Sequence, residues 1–226
     1  MRSVVLLSGG LDSVVNLKKA HDEGEVVLAL TFDYGQASFP SEQHAARECA
    51  RRYGIEHRVI DLPWFSDLLP PVIGGREEAH SHDQASLKRH RDLLKEVWVP
   101  NRNCVLLAVG AAHAEAAGAG CLVAGFNLEE AEVFPDNSAE FVEAMNRVLG
   151  ISTLSGVRVI AYTQGMTKSE TVRLAGEIGA PLDLVYSCYM PSSGQLMCGS
   201  CQSCVRLKAA LEANGLLERY SERFRA

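Results

Sequence analysis

The sequence predicts an α/β fold on a mainly parallel sheet, and three observations carry that prediction. Short apolar runs alternate with amphipathic stretches along most of the chain, as they do when helices cover both faces of a sheet. The first run, Val4-Val5-Leu6-Leu7, has no polar interruption and is β-branched at its start, as in a strand buried on both faces. That run stops abruptly at Ser-Gly-Gly and is followed, one residue later, by Asp-Ser. A strand therefore meets a helix across a glycine turn.

The apolar runs fall at residues 4–7, 26–32, 57–60, 121–124 and 157–161, and the amphipathic stretches near 12–23, 41–53, 103–117, 138–149 and 168–178. Asp12 and Ser13 are helix-start residues for the first stretch. Thr167-Lys168-Ser169-Glu170 forms a capping box for the last. Ala108, Ala111, Ala112, Ala116 and Ala117 make the third helix narrow enough to pack closely on a sheet. No internal repeat is visible. Two stretches break the alternation, residues 63–99 and residues 184–204. A length of 226 residues fits one large domain or one domain with a small appendage. The division expected is an α/β domain over 1–183, with 63–99 as an insertion or lid, and a metal-binding segment with a C-terminal helix over 184–226, packed on the same domain.

Composition narrows the function classes. With 47% hydrophobic and 22% charged residues the chain has the make-up of an ordinary globular protein. A net charge of −6 argues against a basic nucleic-acid surface. No apolar run reaches the length of a membrane span, and the first strand begins almost at Met1, which leaves no room for a signal peptide. A cytoplasmic location is the expectation, and in that compartment the seven cysteines are reduced.

The Ser8-Gly9-Gly10-Leu11-Asp12-Ser13 turn points exposed N–H groups and the positive end of a helix dipole at one place, which suits an anion. It is not a Walker loop, because no lysine follows the glycines until Lys18, inside the helix. Nor is it a dinucleotide fingerprint, because the two glycines are adjacent. An ordinary tight turn is the alternative. The six residues together, at the first strand–helix junction, resemble the pyrophosphate loop of the N-type ATP pyrophosphatases, which split ATP between the α and β phosphates and adenylate a substrate.

Four of the seven cysteines are clustered, Cys188 and then Cys198-Gly-Ser-Cys201-Gln-Ser-Cys204, whereas Cys49, Cys104 and Cys121 fall in apolar periodic segments and read as small buried hydrophobes. Cys201 and Cys204 lie three apart at the start of a final helix through Leu211 and share a face. Gly199 permits the turn that brings in Cys198, and the loop before it returns Cys188. Four thiolates complete a tetrahedral structural Zn²⁺ site. Iron–sulfur ligation is the main rival, although the usual continuation of that motif is missing; a redox pair fits three cysteines in two overlapping CxxC units poorly.

SGGLDS, FDYGQ at 32–36, VPNRN at 99–103, SCY at 187–189 and CGSCQSC at 198–204, in that order over nearly the whole chain, resemble the 7-cyano-7-deazaguanine synthase family, QueC. The resemblance implies an adenine-nucleotide α-hydrolase-like, Rossmann-like fold of the PP-loop superfamily, usually a homodimer with one zinc per subunit. It also implies conversion of 7-carboxy-7-deazaguanine and ammonia to the nitrile with consumption of ATP, on the route to queuosine or archaeosine. Carried over by position, Leu7, Ser8, Gly9, Gly10, Leu11, Asp12, Ser13, Val14, Val15, Asn16 and Leu17 line the ATP pocket. Cys188, Cys198, Cys201 and Cys204 hold the zinc. The partners implied are small molecules, with no direct nucleic acid and no membrane.

Residue chemistry supplies roles. Ser8 and Ser13 add hydroxyl donors at the pyrophosphate, and Asp12 holds Mg²⁺ or orients the loop. Lys168 stands in the first turn of a helix, where a cation opposes the dipole; a phosphate ligand explains it, and a solvated surface lysine is the alternative. Arg102 holds a carboxylate or phosphate, with a structural ion pair as the comparable reading. One departure stands out: many members of the family carry Tyr-Pro-Asp-Cys-Arg where this chain has Phe134-Pro135-Asp136-Asn137-Ser138. The lost arginine removes one anion partner, and Asn137 and Ser138 read instead as caps of the following helix. That departure leaves room for a paralogue that stops at the amide or joins the deazaguanine to another acceptor. A tRNA thiolation enzyme of the same fold and a non-catalytic ATP- or zinc-binding module are the more distant readings. His80, His82 and His90 fit no standard ligand set and read as part of a charged, mobile lid.

Overall fold

Neighbouring side chains of the first strand bury themselves on opposite sides of a sheet, and this accounts for its uninterrupted apolar run. The computed structural model describes residues 1–75, 97–192 and 195–225. Among them, β1 (Arg2–Leu6), β2 (Glu25–Asp33), β3 (His57–Asp61), β4 (Cys121–Val123) and β5 (Arg158–Ile160) form one parallel sheet in the order β3-β2-β1-β4-β5. The helices are α1 (Leu11–Glu23), α2 (Phe39–Arg52), α3 (Arg102–Ala116), α4 (Leu128–Ala131), α5 (Ala139–Ser152), α6 (Lys168–Ile178), α7 (Gln202–Ala213) and α8 (Leu217–Tyr220).

Val5 faces a cluster that includes Val14 and Leu17 of α1, Ala46 and Cys49 of α2, Val172 of α6 and Leu207 and Leu211 of α7. Val4 faces the other side, with Leu30, Leu122, Leu107 and Ala111 of α3, and Met145 and Leu149 of α5. Cys188, Cys201 and Cys204 belong to the same cluster as α1, so the cysteine segment packs directly on that helix layer. The chain winds outward from β1 to β3 and then returns to place β4 on the other side of β1. The strand order reverses there, which opens a crevice at the carboxyl ends of β1 and β4.

The predicted elements are all present with small shifts at their ends. Leu7 lies beyond β1, although its N–H still donates to Leu30 O at 2.8 Å. β4 and β5 are only three residues long, α2 begins earlier at Phe39, and α5 extends to Ser152. α7 starts at Gln202, with Cys201 as its N-cap, and the short α8 follows it. The capping box at Thr167 is complete, with both reciprocal bonds made. Cys49 is fully buried, whereas Cys104 and Cys121 are half-buried. Within 63–99, a short 3₁₀ turn occupies Pro63–Leu68, and Val97, Trp98 and Val99 line the crevice. His80, His82 and His90 lie outside the described residues. No described helix is long and apolar enough to cross a membrane.

The alanine-rich helix packs tightly on the sheet at Gly110, where an added Cβ would stand 2.9 Å from both Leu6 Cδ2 and Leu122 Cδ1. Overpacking at such a contact costs about 1–3 kcal/mol. Gly110→Val should therefore lower the denaturant midpoint by a corresponding amount, whereas Gly150→Val, where nothing lies within 4 Å of the added Cβ, should show no comparable packing loss.

Candidate active site

The turn after β1 is shaped by a backbone that only glycine tolerates. Gly9 has φ +81°, and an added Cβ would lie 2.7 Å from Ala45 Cβ and 2.9 Å from Glu42 O on α2. Gly10 is the N-cap of α1, in extended conformation, and no side chain caps the helix. Asp12 and Ser13 stand in the first turn of α1, as helix-start residues do. Ser13 Oγ turns back to donate to Gly10 O at 2.9 Å and accepts from Ser8 Oγ at 3.2 Å, while Ser8 Oγ accepts the Gly10 N–H at 3.3 Å. The loop is also held from the far end of the chain. Tyr186 N–H donates to Gly9 O at 2.8 Å, and Ser187 Oγ accepts the Leu11 N–H at 3.4 Å. The cap residue Gly10 brings no side chain of its own, and the positive end of the α1 dipole points where an anion is favoured.

This end faces a cleft of about 300 Å³ at the crevice where the strand order reverses. Leu7, Ser8, Gly10, Leu11, Asp12, Ser13, Arg102 and Lys168 all line it. Gly9 stands behind the turn, against α2. Val14, Val15 and Leu17 are buried in the core. Asn16 ties the helix to its surroundings: its Nδ2 donates to Asp12 O at 2.8 Å and to Thr163 Oγ1 at 2.6 Å, and its Oδ1 accepts the Tyr162 N–H at 2.7 Å.

Lys168 is neither on the surface nor without an acidic neighbour. Its Nζ lies 3.6 Å from Asp12 Oδ2 and 3.4 Å from Glu130 Oε1, and its side chain is only 8% exposed. The capping box of α6 fixes the residue at the first helical position, and Glu129 Oε1 accepts its N–H at 2.8 Å. Burial alone would lower the lysine pKa, but the Asp12 and Glu130 carboxylates outweigh it and hold the pKa above its ordinary value. The ammonium is therefore a permanent charge near neutral pH. Burial raises the Asp12 pKa, against the pull of Lys168. Asn127 Nδ2 donates to Asp12 Oδ2 at 3.0 Å, whereas Asp12 Oδ1 is buried without a hydrogen-bond partner. An orphaned carboxylate oxygen beside an anion site is a donor suited to a hard cation such as Mg²⁺.

Arg102 stands across the cleft. Its Nη1 donates to Tyr34 Oη at 3.2 Å, its Nε to Asn103 Oδ1 at 3.3 Å, and the guanidinium lies 5.7 Å from the Tyr34 ring centre. Among the described residues no carboxylate approaches it within 4 Å, so the structural ion pair is not formed. Tyr34, Gln36, Glu42, Trp98, Asp136 and Arg206 also line the cleft and were not singled out as site residues by spacing. For Tyr34 and Gln36 a signal existed in the run Phe-Asp-Tyr-Gly-Gln. Gln36 Oε1 accepts the Tyr34 N–H at 3.0 Å, and its Nε2 donates to Phe32 O at 2.9 Å, fixing the turn that presents the tyrosine.

The four clustered cysteines converge. The Sγ atoms of Cys188, Cys198, Cys201 and Cys204 all lie within 4.8 Å of one another, and none is in a disulfide. Gly199, at φ +78°, makes the turn between them. Main-chain N–H groups point at the sulfurs, from Met190 and Cys198 to Cys188 Sγ at 3.4 Å each and from Cys201 to Cys198 Sγ at 3.2 Å. Hydrogen bonds from Cys201 and Cys204, and then from those amides, hold Cys188 below the ordinary thiol range, while the same shared bonds push the Cys201 and Cys204 thiols up. Thiolate-stabilising donors around a convergent S₄ set fit a tetrahedral metal ion.

A family model described as "Queuosine biosynthesis protein QueC" matches residues 2–215. The chain belongs to the QueC family. The 7-cyano-7-deazaguanine synthase of Pelotomaculum thermopropionicum is 46% identical over 224 residues, covering 96% of this chain and 99% of that protein. The enzyme of that name from Methanothermobacter thermautotrophicus is 44% identical over 218 residues, covering 96% of each. Among solved structures, a 4-thiouridine synthetase–RNA complex with bound ATP superposes with a TM-score of 0.50 at 19% identity, over 98% of this chain and 52% of that one, a likeness of fold. Within the family pattern, the Asn137-Ser138 departure divides its work. Ser138 Oγ accepts the Phe141 N–H at 3.0 Å and caps α5 as expected. Asn137 does not cap; it is buried and donates to Asp136 Oδ1 at 3.1 Å.

The loop geometry makes a specific demand on Gly9. A residue with a Cβ at positive φ costs roughly 1–2 kcal/mol from the backbone alone, and the contacts with α2 add to it. Gly9→Ala should therefore destabilise clearly more than Gly54→Ala, where φ is +66° but nothing lies within 4 Å. Equal losses in denaturant titrations would contradict the close approach.

Proposed function

We infer that this chain is a carbon–nitrogen ligase that converts 7-carboxy-7-deazaguanine and ammonia to 7-cyano-7-deazaguanine at the expense of ATP. The observation that carries this is the family match over residues 2–215, in a chain whose α1 terminus faces a cleft lined by three cations, Arg102, Lys168 and Arg206. The readings as an amide-stopping paralogue, a thiolation enzyme or a non-catalytic module are not favoured by that match or by the relatives' names.

In this reading the substrate carboxylate attacks the α-phosphorus of ATP, forming an acyl-adenylate and releasing pyrophosphate. Ammonia adds to the acyl carbon, AMP leaves, and a proton passes to solvent, giving the amide. The amide oxygen then attacks a second ATP; loss of AMP and of the nitrogen-bound protons leaves the C≡N bond. Pyrophosphate departs twice, and its growing charge meets the amide groups at the start of α1 and the hydroxyls of Ser8 and Ser13. Lys168, kept cationic by its two carboxylates, lies at the same end and is assigned to the phosphates. Arg102, which has no acidic partner within 4 Å among the described residues, is assigned to the substrate carboxylate, a planar anion its fork matches. Asp12 Oδ1 is the ligand proposed for Mg²⁺, which would offset phosphate charge. Cys188, Cys198, Cys201 and Cys204 are the proposed ligands of one Zn²⁺, which would clip the segment bearing Tyr186 and Ser187 to the loop. We further propose that residues 1–183 form the PP-loop ATP pyrophosphatase α/β domain and residues 184–226 its zinc-binding closure. The partners proposed are small molecules, without direct nucleic-acid or membrane contact, in a homodimer. The seven free cysteines suit a reducing, cytoplasmic setting.

Incubation with ATP, Mg²⁺, ammonium and the acid should yield AMP and pyrophosphate, two of each per nitrile, by ³¹P NMR and mass spectrometry. ADP as the direct product of the first activation would contradict the mechanism. Elemental analysis of anaerobically purified protein should find one zinc per chain in a colourless sample, and iron with sulfide would reject zinc. Cys201→Ser should lower both metal content and thermal stability, because binding at such sites is coupled to folding.

A further inference from the structure

We infer that Asp136 is the specificity-determining residue for the base, accepting hydrogen bonds from the N1–H and 2-amino groups of the deazaguanine; this rests on the substrate class proposed above. Four carboxylates line the cleft, those of Asp12, Glu42, Glu130 and Asp136. Asp12 and Glu130 are engaged with the Lys168 ammonium. Glu42 is engaged by the Ser38 hydroxyl at 2.6 Å and Gln36 Nε2 at 3.1 Å, and its main chain lies against the pyrophosphate turn.

Asp136 is different. It is 8% exposed, and its donors are all neutral: the Asn103 N–H to Oδ2 at 3.3 Å, Asn137 Nδ2 to Oδ1 at 3.1 Å, and its own main-chain N–H. Among the described residues no cation lies within 4 Å of it. A carboxylate offers about four acceptor positions, so it keeps acceptor capacity on the cleft side. Burial raises its pKa against the field of Arg102, as expected of an anion with few partners. The ligand such a group calls for has two adjacent, parallel N–H donors. A guanine-type base presents that pair at N1 and the 2-amino group.

The surroundings fit the rest of the same molecule. The Trp98 and Phe134 rings, both on the cleft, are stacked within 10° of parallel at 5.8 Å, and Phe134 is two residues from Asp136. They give the carboxylate a flat neighbouring wall. Arg102 supplies a cation for the acceptor side of the base, where the 7-carboxylate stands. The turn bearing Asp136 is pinned before any ligand arrives, by Asn103 Nδ2 to Asp136 O at 3.1 Å and Gln164 Nε2 to Asn137 O at 2.7 Å. The buried Asn137 then has a function: it orients the carboxylate.

The test compares 7-carboxy-7-deazaguanine with its 2-desamino analogue, the corresponding hypoxanthine acid. A bidentate base contact discriminates by about 10–100-fold. The wild type should prefer the amino compound by that factor in kcat/KM, chiefly through KM. In Asp136→Asn the preference should collapse to about threefold or less. A purely structural role at the start of α3 would depress both substrates equally and keep the ratio. A wild-type ratio near one, or a ratio retained in folded Asp136→Asn, overturns the inference. Should Asp136→Asn not fold, Asn137→Ala decides: it should reduce the ratio, and an unaltered ratio overturns the inference. Failure of the wild type on both acids would instead reject the proposed function.

Discussion

The cleft depends on one constraint: the amino end of α1 must be fixed in place although its cap residue, Gly10, has no side chain to fix it. A helix start normally gains stability from a capping side chain. Here the cap position is Gly10, Ser13 folds back onto Gly10 O, and the hold on the turn comes from outside it. α2 presses on Gly9 from one side, and the main chain of Tyr186 takes the Gly9 carbonyl from the other. The Ser8 and Ser187 hydroxyls add to this hold by accepting the Gly10 and Leu11 N–H groups.

The same economy governs the charges. A buried ammonium without a partner is costly, and Lys168 has two carboxylates near it. The pair leaves Asp12 with an unmatched oxygen, so the cluster carries surplus negative charge beside a site made for a polyanion. A hard cation reconciles the two, which supports Asp12 as its proposed ligand. Across the cleft, Tyr34 gives Arg102 a phenolic acceptor and a ring face but no competing carboxylate.

Much of this was legible in the chain. The parallel sheet, the turn after β1, the capping box at Thr167 and the convergence of four cysteines all follow from local spacing, and the structure contains each of them. What was not legible depends on long-range approach. Asp12 and Ser13 announce a helix start, and α1 begins there; that the turn before it is held by α2 and by Tyr186, both distant in the chain, is not written locally. The burial of Lys168 required Glu130, which nothing near residue 168 announces. Asn137 read as a cap from its local position, whereas its side chain is spent on its neighbour Asp136. Arg206 follows the last cysteine by two residues and reaches the cleft only because the cysteine turn aims α7 there.

The central claim is that the C-terminal cysteine segment holds the turn after β1 in its anion-binding form. Amide hydrogen exchange in the wild type and in Cys201→Ser tests it most directly, with the Tyr186 and Leu11 amides as reporters, since they bond to Gly9 O and Ser187 Oγ. The account predicts that the substitution speeds exchange at both reporters together, while amides of β2 in the sheet centre keep their protection. Faster exchange confined to residues 198–204, with Tyr186 and Leu11 unchanged, would contradict it.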